Sequence, residues 1–357
     1  MKKISVLALA LIFALAGQAL AAAEFTLTLN LPIPPIHTRW AKALKPWADE
    51  ISRRSQGRLE IEPYFAEALS PRSETYESVR SGIADLTEGG FEANTGQFPW
   101  HEGILSISNP GRAMLNPMPL LQSMQAKYPE ALKEIAGVRL LFCHASPDLI
   151  IGTKSRPVRK LTDLKGMKIQ ANSALIAERL KKLGVSVVSM PISDVYTALE
   201  SGVIDGTTLD FELLVARRFG DQVKHMTALS LQNTLFYVII NEGVYRSLPP
   251  ELQKILDDVS GKFAEDLFST YWSESETAAV ASWLNNMGGK EMIILSDADY
   301  AQADKLMRPV VEDWFERLNK SGLPGKAMKK LRDDLVGTLS VPWKDSPLYR
   351  RYLDVRQ

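Results

Sequence analysis

Hydrophobic and polar positions alternate with a period of two over Phe25-Thr26-Leu27-Thr28-Leu29-Asn30-Leu31. That is the pattern of a strand with one buried face. Pro32, Pro34 and Pro35 end it. Apolar residues at helical spacing over 40–51 predict a helix, which Gly57 closes. Leu59-Glu60-Ile61-Glu62 predicts a second strand, 73–79 a short helix, and Ile83-Ala84-Asp85-Leu86 a third strand. This β-α-β-α-β order predicts a largely parallel sheet covered by helices.

The pattern then restarts. Residues 138–142 and 149–153 read as strands, 161–166 as a turn, 167–170 as a strand, 174–183 as a helix and 185–189 as a strand. A helix over 193–201 leads into Gly202-Val203-Ile204-Asp205-Gly206, and 235–240 is strongly β-prone. Two α/β lobes follow. No internal repeat, low-complexity tract or flexible linker divides them, so the chain is expected to cross between them several times. Residues 249–288 hold almost no helix breakers, with Pro249-Pro250 at the start and Gly288-Gly289 at the end. A helix of about 35 residues would be about 50 Å long at 1.5 Å per residue. It must bridge the lobes or be broken. Two more amphipathic helices, near 301–318 and 325–335, have no strand partners and are expected to buttress the body.

The N-terminus changes the picture of where the chain works. Lys2 and Lys3 precede an uncharged apolar run over 4–17, and Ala19-Leu20-Ala21 puts small residues where a signal peptidase reads. This is the layout of a secretory signal peptide over 1–21. The run is shorter than the roughly 20 residues that span a bilayer, and no cysteine follows it to take a lipid. Lys plus Arg and Asp plus Glu are each 42 in the 357 residues. Without a basic excess, nucleic acid is not an expected partner. Removing the leader, with its two lysines, leaves a net charge of −2. The lone cysteine, Cys143, excludes an intramolecular disulfide and a multi-cysteine metal site. An exported chain without disulfides suits a bacterial periplasm.

The four histidines, His37, His101, His144 and His225, show no metal-binding spacing. There is no nucleophile elbow and no phosphate-cradling glycine loop. Carboxylates are plentiful, so an exported hydrolase with a carboxylate pair stands as one alternative. No metal and no cofactor are expected.

Met190-Pro191-Ile192-Ser193-Asp194-Val195-Tyr196-Thr197-Ala198-Leu199-Glu200-Ser201-Gly202-Val203-Ile204-Asp205-Gly206 resembles the signature of the DctP-type solute-binding proteins of TRAP transporters. So does Leu161-Thr162-Asp163-Leu164-Lys165-Gly166-Met167-Lys168-Ile169 upstream of it. Gly57-Arg58-Leu59-Glu60-Ile61, the stretch from Tyr76 to Leu86, and Asn241 followed by Leu248-Pro249-Pro250-Glu251-Leu252-Gln253 fit in order and spacing. The resemblance implies an α/β fold of the two-lobed periplasmic-binding-protein type, with a long helix spanning both lobes. On this reading lobe I is 22–147 plus 236–275, lobe II is 148–235 plus 276–300, and 301–357 packs on the body. It also implies a monomer that binds without catalysis, with a small solute and the TRAP membrane subunits as partners. A binding protein of an ATP-driven importer is the nearest alternative, and it would lack an unbroken helix over 249–288.

In many members of the family, the strand after the Asp-Leu-Lys-Gly turn ends in an arginine that clamps the substrate carboxylate. Here that place holds Gln170, an uncharged amide. In Thr207-Thr208-Leu209-Asp210-Phe211-Glu212, the carboxylates of Asp210 and Glu212 either face the cleft or cap a helix starting at Phe211. If they face it, a cationic solute is the expected partner, because an unpaired buried charge is costly. Thr208 lies beside them. Ligands in open α/β sheets sit at strand ends, which adds His37, Trp40, Glu88, Gly90, Phe91 and His144 as candidates. Phe211, Phe236 and Tyr237 would supply aromatic faces. The solute is thus an organic acid, an amine or an aromatic compound.

Overall fold

The computed structural model describes residues 23–94, 96–104, 108–285 and 288–356. The export leader over 1–21 lies outside these residues. The strands are β1 (Phe25–Asn30), β2 (Leu59–Tyr64), β3 (Leu86–Gly90), β4 (Arg112–Met114), β5 (Val138–Thr153), β6 (Lys168–Gln170), β7 (Ser186–Val188), β8 (Gly206–Leu209), β9 (His225–Asn241), β10 (Glu291–Ile293) and β11 (Ser340–Pro342). The helices are α1 (Lys45–Arg54), α2 (Thr75–Arg80), α3 (Pro99–Ile104), α4 (Met118–Lys127), α5 (Ala174–Lys182), α6 (Val195–Ser201) and α7 (Phe211–Ala216). They continue with α8 (Glu242–Ser247), α9 (Pro250–Asp258), α10 (Ala264–Asn285), α11 (Asp297–Lys320), α12 (Gly325–Leu339) and α13 (Pro347–Arg356).

One sheet runs through both lobes in the order β2-β1-β3-β9-β5-β8-β6-β7, with β10 beside β9. Strands β1, β2 and β3 are mutually parallel in the first lobe, and β6, β7 and β8 in the second. Between them β9 pairs antiparallel with β3, and β5 pairs antiparallel with both β9 and β8. Strands β5 and β9 therefore belong to both lobes and carry the chain across. Their ladder slips between Ala145 and Asp148, where Pro147 interrupts it. That interruption is why the sequence shows two strands over 138–153 where the fold has one.

Each lobe uses the same turn to enter its sheet, although the sequence shows no repeat. Gly82 and Gly202 end helices in the left-handed region, at φ of 80° and 74°, where glycine has no steric cost. Three residues later Asp85 accepts the N–H of Thr28 at 2.8 Å, and Asp205 accepts the N–H of Lys168 at 2.8 Å. Each carboxylate thus binds its own strand to the parallel neighbour. The third strand starts at Leu86, three residues after the predicted Ile83, because 82–85 form this turn.

The run over 249–288 is not one helix. It is α9, a wider turn over Val259–Phe263 with Gly261 at φ −88° and ψ −129°, and then α10. Glycine carries the weakest helix preference of any residue but proline, and the break falls on it. The 22 residues of α10 are still long enough to touch both lobes. Phe268, Tyr271 and Trp272 pack with Trp47 and Phe142, whereas Ala279, Val280 and Trp283 pack with Phe211, Leu214 and Phe219. Helices α11 and α12 cover the opposite face of the sheet, over Trp100, Tyr237 and Ile239. The C-terminal segment does have a strand partner, since β11 pairs antiparallel with β4.

Candidate ligand-binding cleft

The C-terminal ends of β1 and β3 face those of β6 and β8 across the crossing strands. After β1 the chain presents His37, Thr38 and Arg39, and β3 presents Glu88. The Arg39 guanidinium forks onto Glu88, with Nε 2.8 Å from Oε1 and Nη2 donating to Oε2 at 3.1 Å. It lies 4.6 Å from the ring centre of Phe236 and 5.7 Å from that of Trp272, a cation held over aromatic faces. His144 continues the chain of bonds. The indole Nε1–H of Trp272 only donates, so it donates to His144 Nδ1 at 3.3 Å, and His144 Nε2–H donates to Glu88 Oε1 at 3.0 Å. Burial works to raise the Glu88 pKa, but Arg39 and then His144 outweigh it and hold it at about 2. Burial pushes His144 down to about 4, so the ring is neutral.

The second lobe brings carboxylates to the same place. Asp210 caps α7 and accepts the N–H of Leu213 at 2.7 Å. Glu276 reaches in from α10 and accepts the N–H of Glu212 at 2.7 Å and that of Phe211 at 3.4 Å. Burial and then Glu212 raise Asp210 to about 7, and burial and then Asp210 raise Glu276 well above the usual carboxylate range. Both therefore hold a proton more tightly than an ordinary carboxylate does. Glu212 Oε1 accepts the Tyr271 hydroxyl at 2.8 Å and the Thr38 hydroxyl at 3.1 Å, and it stands 3.5 Å from His37 Nδ1. Burial, then Arg39, lowers His37 to about 4. Glu212 is thus a group of the second lobe that bonds to the end of β1 and to the spanning helix.

Of the two readings of these carboxylates, Asp210 takes the capping one, and Glu212 faces the first lobe without capping the helix. Their carboxylates are taken up by helix capping and by hydroxyls. Gln170 is buried, accepts the Thr207 hydroxyl at 2.6 Å and donates to the Ala171 carbonyl at 3.2 Å. Thr208 is buried and donates to the Gln170 carbonyl at 3.4 Å. Tyr237 and Phe91 do not face the cleft. Tyr237 bonds to Thr75, and Phe91 stacks on His101 in the core beneath α11. Phe211 is likewise core, packed against Trp283. Gly90 sits where a Cβ would meet the Glu92 carboxylate at 2.5 Å. Trp40 is half-buried and stands edge-on to Phe65 at 5.2 Å. The structure brings together His37, Glu88, His144, Phe236, Asp210 and Glu212.

Sequence reasoning missed Arg39, Tyr271, Trp272 and Glu276. Arg39 lies two residues after His37, in the same strand-end loop, and that position was a usable signal. Tyr271, Trp272 and Glu276 reach the cleft from a helix with no strand-end signature. A cavity of about 430 Å³ adjoins this network and is lined by His144, Trp272 and Glu276 with Met114, Met118 and Trp343. Among the described residues it takes none from the ends of β1, β3, β6 or β8. Its buried carboxylates, Asp148 and Glu276, already accept backbone N–H groups. Among the described residues no cluster of His, Cys, Asp and Glu is arranged to hold a metal ion, and no helix is long and apolar enough to cross a membrane.

Residues 33–318 match the family model for bacterial extracellular solute-binding proteins, family 7. A solute-binding protein of Verminephrobacter eiseniae is 25% identical over 85% of this chain and 89% of its own length. Among solved structures, a TRAP periplasmic solute-binding protein of Bordetella bronchiseptica with bound mandelate matches at a TM-score of 0.78 and 25% identity, over 88% of this chain and 99% of that one. A marine metagenome TRAP solute-binding protein specific for aromatic acids, in complex with 3-hydroxybenzoate, matches at 0.79 and 25%, over 89% and 99%. The fold is that of these TRAP solute-binding proteins, and the chain belongs to the DctP family of bacterial extracellular solute-binding proteins.

Proposed function

We propose that this chain is the extracytoplasmic solute-binding subunit of a TRAP secondary transporter. It is exported by the 1–21 leader to the periplasm and acts there as a monomer. It captures a small solute between its lobes and delivers it, chemically unaltered, to the membrane subunits. The observation that carries this reading is Glu212. From the second lobe it accepts hydrogen bonds from Thr38 of the first and Tyr271 of the spanning helix. A solute that touches both lobes favours the closed arrangement, because only there are both sets of contacts made. Rotation of lobes about crossing strands is an established switching mode, for which periplasmic binding proteins are the general example. On this reading lobe I is 22–147 plus 236–275, lobe II is 148–235 plus 276–300, and 301–357 packs on the body.

The likeness to relatives that hold mandelate and 3-hydroxybenzoate supports a small organic solute. Equilibrium dialysis against a mixture of small metabolites, with mass spectrometry of the retained fraction, tests the function. Retention of a solute of unchanged mass and amount is expected. Time-dependent conversion of a retained compound, or retention of nothing, would contradict it.

A further inference from the structure

The end of the second lobe remote from the cleft is strongly basic. Residues 154–182 hold nine basic side chains and two acidic ones, a net charge of +7 in a chain that totals −2 without its leader. The fold gathers most of them where β6, β7 and β8 begin and β5 ends. Lys168 opens β6 opposite Ser186 of β7. The Gly166 N–H donates to the Gly184 carbonyl at 2.9 Å, and the Lys165 side chain lies over Gly184, just past the Lys181-Lys182 end of α5. Lys154 leaves β5 with its N–H on the Asp205 carbonyl at 3.0 Å. Arg156, Lys160, Lys165, Lys168, Lys181 and Lys182 are all exposed.

The carboxylates nearby are already engaged. Asp163 accepts the N–H groups of Arg159 and Lys160, Asp205 that of Lys168, and Asp299 that of Leu161. Glu291 pairs with Arg159 and stands 3.0 Å from His225. Glu200 remains as an exposed acid. Among the described residues, no carboxylate pairs with the six exposed cations named above. The matching end of the first lobe is neutralised instead. There Arg58 pairs with Glu24 and Glu251, Arg80 with Glu77, and Arg139 with Asp257.

An apolar side chain stands within the basic set. Val203, in the turn that enters β8, is 54% exposed. Two bonds tie that turn to lysines: Lys154 Nζ donates to the Leu199 and Glu200 carbonyls at 2.8 and 2.7 Å, and the Lys168 N–H donates to Asp205 at 2.8 Å.

We propose that this end of the second lobe is a docking surface for an anionic lipid bilayer, with lysines on the phosphates and Val203 at the headgroup boundary. Basic side chains held near anionic lipid are attracted over about a Debye length, and a buried apolar group adds to that attraction. Lysine is depleted in protein–protein interfaces, whereas a mobile ammonium on a flexible stem suits a fluid array of phosphates. All of the surface belongs to one lobe, so the other lobe stays free to move. The proposal goes beyond the solute-binding reading and uses no residue of the cleft.

The test is co-sedimentation with vesicles of phosphatidylcholine alone and of phosphatidylcholine with phosphatidylglycerol in equal parts. At low salt the protein is expected to partition at least tenfold more onto the anionic vesicles. About 1 M salt, which shortens the Debye length to about 3 Å, should release it. A triple variant, Lys165→Glu with Lys168→Glu and Lys181→Glu, should lose at least tenfold in partitioning. A control of equal net charge, Lys42→Glu with Lys254→Glu and Lys330→Glu, should lose less than threefold, and Val203→Ser at least twofold. Circular-dichroism melts verify that each variant is folded. Equal partitioning onto both vesicles, or equal losses in the two triple variants, overturns the proposal. So does binding to soluble polyglutamate without binding to vesicles, which would assign the surface to an acidic protein segment.

Discussion

Asp148 illustrates how a single buried carboxyl is set by its surroundings. It lies where β5 crosses between lobes, accepting the Met114 N–H at 2.6 Å and the Ser108 hydroxyl at 3.1 Å. Burial raises its pKa to about 7 against these hydrogen bonds. The folded state therefore holds this proton more tightly than the unfolded chain does. The cost of ionising it grows as pH rises from about 4 and is complete above about 7. Asp148→Asn keeps an acceptor for Met114 and removes that cost. The variant should gain stability relative to wild type between pH 4.5 and pH 8, on the order of 2 kcal/mol. Urea unfolding at the two values measures it, and a constant difference would contradict the account. Little of this scale was legible in the sequence. A strand-end position can be read from the pattern, but the partner of a carboxylate cannot. Glu212 and Thr38 are 174 residues apart, so an end of a helix and an open cleft were equally good readings of the same residues.

Elements were more legible, because periodicity is local. The strand–helix alternation, the Gly-x-x-Asp turns and the glycine closures all correspond to structure. What failed were boundaries that depend on neighbours. The long run of helix formers broke at Gly261, and two apparent strands proved to be one, since pairing with β9 carries β5 past Pro147. Gly206 shows why the signature has a glycine there. A Cβ would stand 2.4 Å from the Gly152 carbonyl of the facing strand, and that atom belongs to the backbone of the β5–β8 ladder. Gly206→Ala should therefore force the strands apart and lower stability by about 1–3 kcal/mol. Chemical denaturation would register this, and a midpoint within error of wild type would show that the ladder tolerates the methyl group.

At the scale of the molecule, the two-lobed plan was readable from composition and element order, and the resemblance added the spanning helix. The contact between the lobes was not readable, because it is made by side chains that meet only after the chain has folded. Arg39, Glu88, His144 and Trp272 form a continuous set of bonds on the first-lobe side. Glu276 of the same helix fixes the start of α7, and with it Glu212, on the second. Helix α10 thus positions both walls of the cleft.

Small-angle X-ray scattering of the protein, alone and saturated with a solute whose binding calorimetry has verified, tests this central claim. The account predicts a smaller radius of gyration in the bound state, as the lobes rotate together about β5 and β9. Superimposable scattering curves at saturation would show that binding requires no movement of one lobe toward the other, and would contradict it.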